Sequence, residues 1–416
     1  MKIRIAAITE GRNIDMVDVD DKKDIEIISG KLGSICYLEK DYDDIAEEDD
    51  EKSLKRFNRI TSNGHHSIAD HCYVTIVFEN ISKMQAMVLN STQCYNTSEK
   101  SARYTVFKNN TPQEDLLYNK WKNYIIENNE ELGLNIEDEK KLEKIANENA
   151  RYFLSVFNKS TTMAYTASVR QWNYLIDWLY AIDWLYSFEK ISRDMKDTSF
   201  NRNLKFDLHD LLLALMASNI YIEGLRDNKD RHLSFLSKQT RDISLGYCHK
   251  DNFNVTYNTT YKASFAQLAQ AQRHRTIKYY MMHDGSEDNE YFIPYFIKDQ
   301  DTINEWISDM ETIETPQGLL VSVTEVGTLE NFLLKCKERL CYRAQVEICK
   351  QTANTLVKYY EEYISKYDTP SIIKEEVDKY IKEKNDKLCV QSKCSILGEC
   401  KESCGHAKDF LDRTYW

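Results

Sequence analysis

The chain has 416 residues, of which 42% are hydrophobic and 29% charged, a balance that excludes an intrinsically disordered polymer and leaves room for two folded domains. Its net charge of −12 excludes a general nucleic-acid binder, so a local basic cluster is expected to serve a small anion and not a nucleic acid polymer. With 4 prolines and 12 glycines, helices should dominate.

In chain order, KIRIAAI (2–8) reads as an opening strand and DYDDIAEEDDEKS (41–53) as a solvated loop or helix start. Leu54, Phe57 and Ile60 carry a helix that Asn63 and Gly64 stop. Residues 72–78 are rich in β-formers and read as a strand, followed by a helical stretch over 81–93. Residues 113–150 are charged and helical, and 148–191 form a tyrosine- and tryptophan-rich helical region. The polar stretch 192–207 reads as a linker. After it come a helix (208–224), a strand (252–261), a helix over FAQLAQAQRHR (265–275) and a long helical ending (328–364). Strand, helix with a polar tip, then late helices: the order recurs at an offset of about 180 residues.

The stretch FAQLAQAQRHR concentrates donors. Phe265 and Leu268 sit on one helical face, while Gln270, Arg273 and His274 follow at helical spacing and Arg275 adds a further cation. Arginine grips phosphate with two parallel hydrogen bonds, and glutamine reads both sides of an amide edge. The competing reading is a solvated basic helix end.

Gln270-x-x-Arg273-His274-Arg275 resembles the signature helix of the flavin-dependent thymidylate synthases. The first half has Gly64-His65-His66-Ser67-Ile68-Ala69-Asp70-His71 and Ser98-Glu99-Lys100-Ser101-Ala102-Arg103-Tyr104, close to two further motifs of that family, with Asp for Glu and Ser for Asn. It also has Ala150-Arg151 and Val169-Arg170. Its own Arg-His-Arg position reads Ser91-Thr92-Gln93, and its late arginine is replaced by Leu179. The second half is the converse. It keeps Arg273 and, ahead of Ala344-Gln345-Val346-Glu347-Ile348, Arg339, but has no Ser-x-Arg-Tyr, and it carries Thr328 and Glu330 where the family places flavin-binding Asn and Arg.

The resemblance implies an α+β fold, helix-rich with a small antiparallel sheet in each of two tandem domains, 1–195 and 206–385, with a Cys-rich tail over 386–416. The losses are complementary, so the two domains are expected to form a pseudo-dimer with one composite active site per chain. The implied reaction is reductive methylation of dUMP to dTMP, with methylenetetrahydrofolate and NADPH as co-substrates and FAD as cofactor. Related expectations are methylation or hydroxymethylation of another pyrimidine nucleotide, or an inactive nucleotide- or flavin-binding paralogue. Gln270, Arg273, Glu99, Ser101, Arg103, Arg151 and Arg339 are implied as nucleotide ligands, with Arg339 and Ser101 closest to the chemistry. Ser67, Glu99, Ser168, Arg170, Arg273, His274 and Arg275 are implied as flavin ligands; for His65 and His71 a packing role competes. A homodimer would mimic the family's tetramer.

No apolar run is long enough to span a bilayer, and MKIRIAAITEG lacks a secretory apolar core, so no membrane partner and a cytoplasmic location are expected. In the tail, Cys389, Cys394, Cys400 and Cys404, followed by His406, suggest zinc or an iron–sulfur cluster, with free thiols or a disulfide pair as the alternative.

Overall fold

The computed structural model describes residues 2–8, 22–35, 42–91, 95–101, 109–187, 198–226, 256–283, 289–341, 344–366, 371–384 and 387–392. The chain divides into two compact units. The first takes residues 1–100, 107–109 and 157–245; the second takes 101–106, 110–156 and 246–416. Residues 110–156 thus count with the second unit, although the expected domain limits placed them in the first.

The first unit is built on an antiparallel sheet of order β1-β2-β4-β3, with β1 Lys2–Ile8, β2 Tyr73–Ile81, β3 Asn96–Glu99 and β4 Thr161–Ser168. Val74, Ile76 and Phe78 alternate into the core from β2, as do Met163, Tyr165 and Ala167 from β4. Helices α1 (Lys22–Leu32), α2 (Tyr42–Ala46) and α3 (Asp50–Ser62) precede β2. Gly64, at φ 81, makes the turn after α3 in the left-handed region. Helix α4 (Lys83–Asn90) starts at a capping box between Ser82 and Gln85. Near the end of β2 the register against β4 slips, and Asn80 there has a φ of 57.

Residues 161–168 are strand, not part of the long helical region expected over 148–191. Their side chains alternate inward and outward, a period of two that no helix accommodates. Helix α7 (Val169–Ser187) follows at once and lays Trp172, Leu175, Ile176 and Leu179 into the core. The expected linker at 192–207 is also corrected, because helix α8 runs Ser199–Ala217, capped by Thr198.

In the second unit, the helical residues expected over 113–150 fall in two helices, α5 (Pro112–Glu127) and α6 (Glu139–Ala150), with Gly133 at φ 70 between them. Trp121, Phe153 and Trp306 pack together there, Trp306 coming from α10 (Gln300–Glu311). The sheet has order β5-β7-β6, with β5 Thr256–Ser264, β6 Lys278–Met282 and β7 Leu320–Thr328. Helix α9 is Phe265–Ala271, α11 Leu329–Arg339 and α12 Val346–Tyr359. The long helical ending expected over 328–364 is therefore broken after Arg339, where Leu340 leaves helical geometry. Helix α13 (Ser371–Asp378) and the hairpin of β8 (Ile381–Lys384) and β9 (Lys387–Val390) close the described residues.

Taken separately, the two sheets share an order: β2-β4-β3 in one, β5-β7-β6 in the other. Each second helix-bearing junction is capped alike, α4 by Ser82 and α9 by Ser264, α7 by Ser168 and α11 by Thr328.

Candidate functional site

The site in the second unit grows from the start of α9. Ser264 Oγ accepts from the Gln267 amide at 3.0 Å and so fixes the first turn. The same serine is gripped by Glu347 of α12: its amide donates to Oε1 at 2.8 Å and its hydroxyl to Oε2 at 2.6 Å. The Tyr152 hydroxyl donates to Glu347 Oε2 at 2.9 Å. Gln345 Nε2 donates to that hydroxyl, and Gln270 Nε2 donates to Gln345 Oε1 at 2.5 Å. Every donor in this relay points toward the buried carboxylate. At its far end, Gln270 Oε1 is buried and has no hydrogen-bond partner among the described residues. It is an acceptor awaiting a donor, as the N–H of an imide ring would supply.

Cations border the relay. The Arg151 guanidinium lies 5.9 Å from the Tyr152 ring centre, and Arg151 is buried. Burial pushes the Glu347 carboxyl up; bonds from Ser264 and Tyr152, and the charge of Arg151, oppose that. Burial also raises the Tyr152 hydroxyl well above its ordinary value, reinforced by Glu347. Tyr152 therefore stays a proton donor. Arg339, the last residue of α11, donates from Nε to His274 Nε2 at 2.7 Å and from Nη2 to the Gln270 carbonyl at 3.4 Å. Burial, then the charges of Arg339 and Lys335, holds the His274 imidazole well below its ordinary value. A neutral ring with an accepting Nε2 carries its proton on Nδ1.

The expected helix over 265–275 is corrected here. It ends at Ala271, and the chain then tightens: Arg273 N reaches Gln270 O at 3.2 Å and His274 N reaches Ala271 O at 2.9 Å. Arg273 and Arg275 are half-buried in that turn and share no helical face with Gln270. Ser101 is half-buried and counts with this unit. Arg103 lies outside the described residues.

The remaining expected ligands lie in the first unit, where Ser168 and Arg170 meet at Asp70. Ser168 Oγ donates to Asp70 Oδ1 and Arg170 Nη1 to Asp70 Oδ2, both at 2.7 Å. Burial raises the Asp70 carboxyl, against the opposing pull of Arg170 and Ser168. The Arg170 guanidinium also lies 5.5 Å from the ring centre of Tyr174, whose hydroxyl meets His66 Nδ1 at 2.9 Å. Ser67 is exposed. Glu99 is paired with Lys83 and accepts from Asn90 at 3.3 Å. Arg273 and Arg275 stand beside a neutral histidine, and Arg170 is paired with Asp70.

Of the tail cysteines, only the backbone of Cys389 is described, in β9; Cys394, Cys400, Cys404 and His406 lie outside the described residues. Among the described residues no metal-ligating group of three or more is found, and no helix is long and apolar enough to cross a membrane. Sequence reasoning did not assign Tyr152, Gln345 and Glu347 to the site. Gln345 and Glu347 stood inside the Ala-Gln-x-Glu-Ile run; Tyr152, beside Arg151, carried no signal of its own.

A model of the family "Thymidylate synthase complementing protein" matches residues 19–181. Among solved structures, thymidylate synthase X from Helicobacter pylori with FAD and dUMP matches at 15% identity, over 55% of this chain and 100% of that one, with a TM-score of 0.31. A second structure of the flavin-dependent enzyme from the same organism, complexed with FAD and dUMP, matches at 16% identity, over 57% and 99%, with a TM-score of 0.28. Scores this low support no argument from shape. No curated protein matches.

Proposed function

We propose that the chain, whose residues 19–181 match the model of the thymidylate synthase complementing protein family, is a flavin-dependent thymidylate synthase-like enzyme. It methylates dUMP to dTMP, taking the carbon from methylenetetrahydrofolate and reducing equivalents from NADPH through FAD. The observation that carries this reading is the relay ending at Gln270, bordered by Arg151, Arg273 and Arg339. An acceptor for an imide N–H beside several cations is what a pyrimidine monophosphate requires.

In this reading Arg273 and Arg151 hold the phosphate, with Arg103 and Ser101 from the Ser-x-Arg-Tyr segment. Gln270 orients the ring, and the Tyr152–Gln345 chain prevents its amide from rotating away. Arg339 offers its guanidinium to the pyrimidine edge and stabilises the negative charge that develops as carbon 5 becomes nucleophilic. Neutral His274 keeps that guanidinium pointed without competing for the anion. FAD, when bound, supplies the hydride; Arg273, His274 and Arg275 are the residues best suited to hold it. Glu99, Ser67, Ser168 and Arg170 are the further flavin ligands of this reading, Glu99 being paired with Lys83 and Arg170 with Asp70.

The second half carries a diverged copy of the family domain, and each copy has discarded what the other retains. The shared strand order and the paired caps support this reading. Two such chains would form a dimer that replaces four separate subunits. The test is a purified full-length protein assayed for flavin absorbance and for tritium release from carbon 5 of labelled dUMP. A yellow protein that releases tritium only with methylenetetrahydrofolate is the expected result. A colourless protein that binds no dUMP overturns the reading and leaves an inactive paralogue.

A further inference from the structure

Two buried carboxylates of the second unit are held in different ways. Glu325 is matched by a cation: Lys335 lies 2.6 Å away, and neither side chain has any exposure. Tyr257 and Tyr261 add their hydroxyls to Glu325 at 2.5 and 2.7 Å. Glu347 is held by hydrogen bonds instead, from the Ser264 amide at 2.8 Å, the Ser264 hydroxyl at 2.6 Å and the Tyr152 hydroxyl at 2.9 Å. A carboxylate only accepts, a hydroxyl gives one hydrogen and takes others, and an amide side chain gives at one end and takes at the other. A chain of such groups that starts on a carboxylate therefore has a direction.

The starting point cannot turn. The Ser264 N–H belongs to the backbone and can only donate. It holds Glu347 Oε1, so Oε2 is the atom that meets the Tyr152 hydroxyl. The carboxylate takes the single tyrosine hydrogen and leaves the tyrosine oxygen to accept. That oxygen fixes Nε2 of Gln345, and Oε1 of Gln345 then fixes Nε2 of Gln270. Tyr152, Gln345 and Glu347 are all buried, so each group must satisfy its neighbour. What is left over is the acceptor Gln270 Oε1.

We propose that Glu347, three hydrogen bonds away from Gln270, is a positioning residue that sets which pyrimidine the site accepts. Holding every donor inward, it presents an oxygen at Gln270, which takes a ring with an imide N–H and rejects a ring with a lone pair in that place. The assignment rests on the proposed function and adds to it the remote group that decides between uracil and cytosine. Glu347→Gln reverses the direction. The introduced amide keeps its oxygen on the Ser264 N–H, so its NH2 group stands where Oε2 stood and donates to the tyrosine oxygen. The tyrosine hydrogen turns to Gln345, that amide flips, and Gln270 flips in turn to present Nε2. Every bond between the four side chains is kept, and the site then suits a cytosine ring.

The experiment is calorimetric titration of the full chain with dUMP and, separately, with dCMP. The wild type should bind dUMP at least about tenfold tighter than dCMP, which sets two acceptors face to face. Glu347→Gln should invert that order. Tyr152→Phe cuts the relay, frees the Gln345 and Gln270 amides to turn, and should bring the two affinities within about threefold of each other. A second readout needs no ligand. In selectively labelled protein, the Gln345 NH2 protons should show a nuclear Overhauser contact with the Tyr152 ring in the wild type and lose it in Glu347→Gln. A folded Glu347→Gln protein that keeps this contact, or keeps its preference for dUMP, overturns the proposal. If that variant does not fold, a Tyr152→Phe protein with the wild-type preference overturns it equally. A chain that binds neither nucleotide, while the contact is lost in Glu347→Gln, refutes the proposed function and leaves the direction of the relay standing.

Discussion

The junction of β4 with α7 and the junction of β7 with α11 use one framework for opposite ends. Each strand runs antiparallel beside two partners, and each helix begins at a hydroxyl cap, Ser168 or Thr328. Equally far past those caps stand Leu179, fully buried, and Arg339, half-buried and bonded to His274. The same pairing sets Leu175 against Lys335 and Tyr165 against Glu325. Past the Ser82 and Ser264 caps, Ser91 corresponds to Arg273. At these positions one frame is uncharged and the other carries charge, so the frame does not require charge there. Each of those charged groups is a place to test the comparison.

The largest effect is expected at the buried ion pair. Lys335→Met strands Glu325 in the core and should cost about 3–5 kcal/mol, read as a fall in the urea midpoint. Adding Glu325→Gln removes the stranded charge but keeps a carbonyl for a tyrosine hydroxyl, and should recover most of the loss. If the double variant is as unstable as the single one, the charge is a stability device after all and the contrast with Leu175 and Tyr165 fails.

Next comes Arg339→Leu, which writes the first unit's Leu179 into the second. Turnover of dUMP should fall by about 10²–10³-fold, as for loss of one preorganised donor to a developing anion. Thermal stability should change little, since the guanidinium is half-buried and bonded mainly to a neutral ring. Unchanged turnover with a large loss of stability would show that the arginine is a strut.

The comparison also explains what was legible in the chain beforehand. The donor cluster at Gln270, Arg273, His274 and Arg339 could be read through its resemblance to a family motif, since on the stretch alone a solvated basic helix end competed with it. Its partner Tyr152 could not, because one tyrosine among 27 has no local mark. The recurrence of strand, polar-tipped helix and late helices was visible, yet β4 was absorbed into an expected helical region and β7 was assigned no element. TTMAYTAS and LVSVTEVGT alternate with a period of two, but each runs straight into its helix, the last strand residue serving as the cap. The reach of α9 was overestimated because Gln270 and Arg273 suit a helix locally, whereas i→i+3 bonds end it at Ala271.

A smaller effect separates the two caps. Thr328→Ala removes only the bond to the Asn331 amide and should cost about 1 kcal/mol. Ser168 caps α7 and also donates to the Asp70 carboxylate, so Ser168→Ala should cost about 2 kcal/mol, the excess being the charged hydrogen bond. Denaturant midpoints of the two variants measure the difference, and Asp70→Asn should shrink it. Equal losses would mean that Asp70 gains nothing from Ser168.

The smallest effect is one of pH, and it has opposite signs in the two units. In the first, burial raises the Asp207 carboxyl to about 6, against the bond from Ser82. Its folded form binds the proton more tightly than the unfolded chain does, so its contribution is present at low pH and is lost as pH rises from about 4 to about 6. In the second, His274 is held below its ordinary value. Here the unfolded chain takes the proton first, so stability falls as pH drops below about 6.5. Between pH 7 and pH 5, then, Asp207 strengthens its surroundings while His274 weakens its own. The urea midpoint of Asp207→Asn minus wild type should rise with pH across that interval, and that of His274→Gln minus wild type should fall. Parallel slopes would mean that burial does not give Asp207 and His274 opposite protonation preferences.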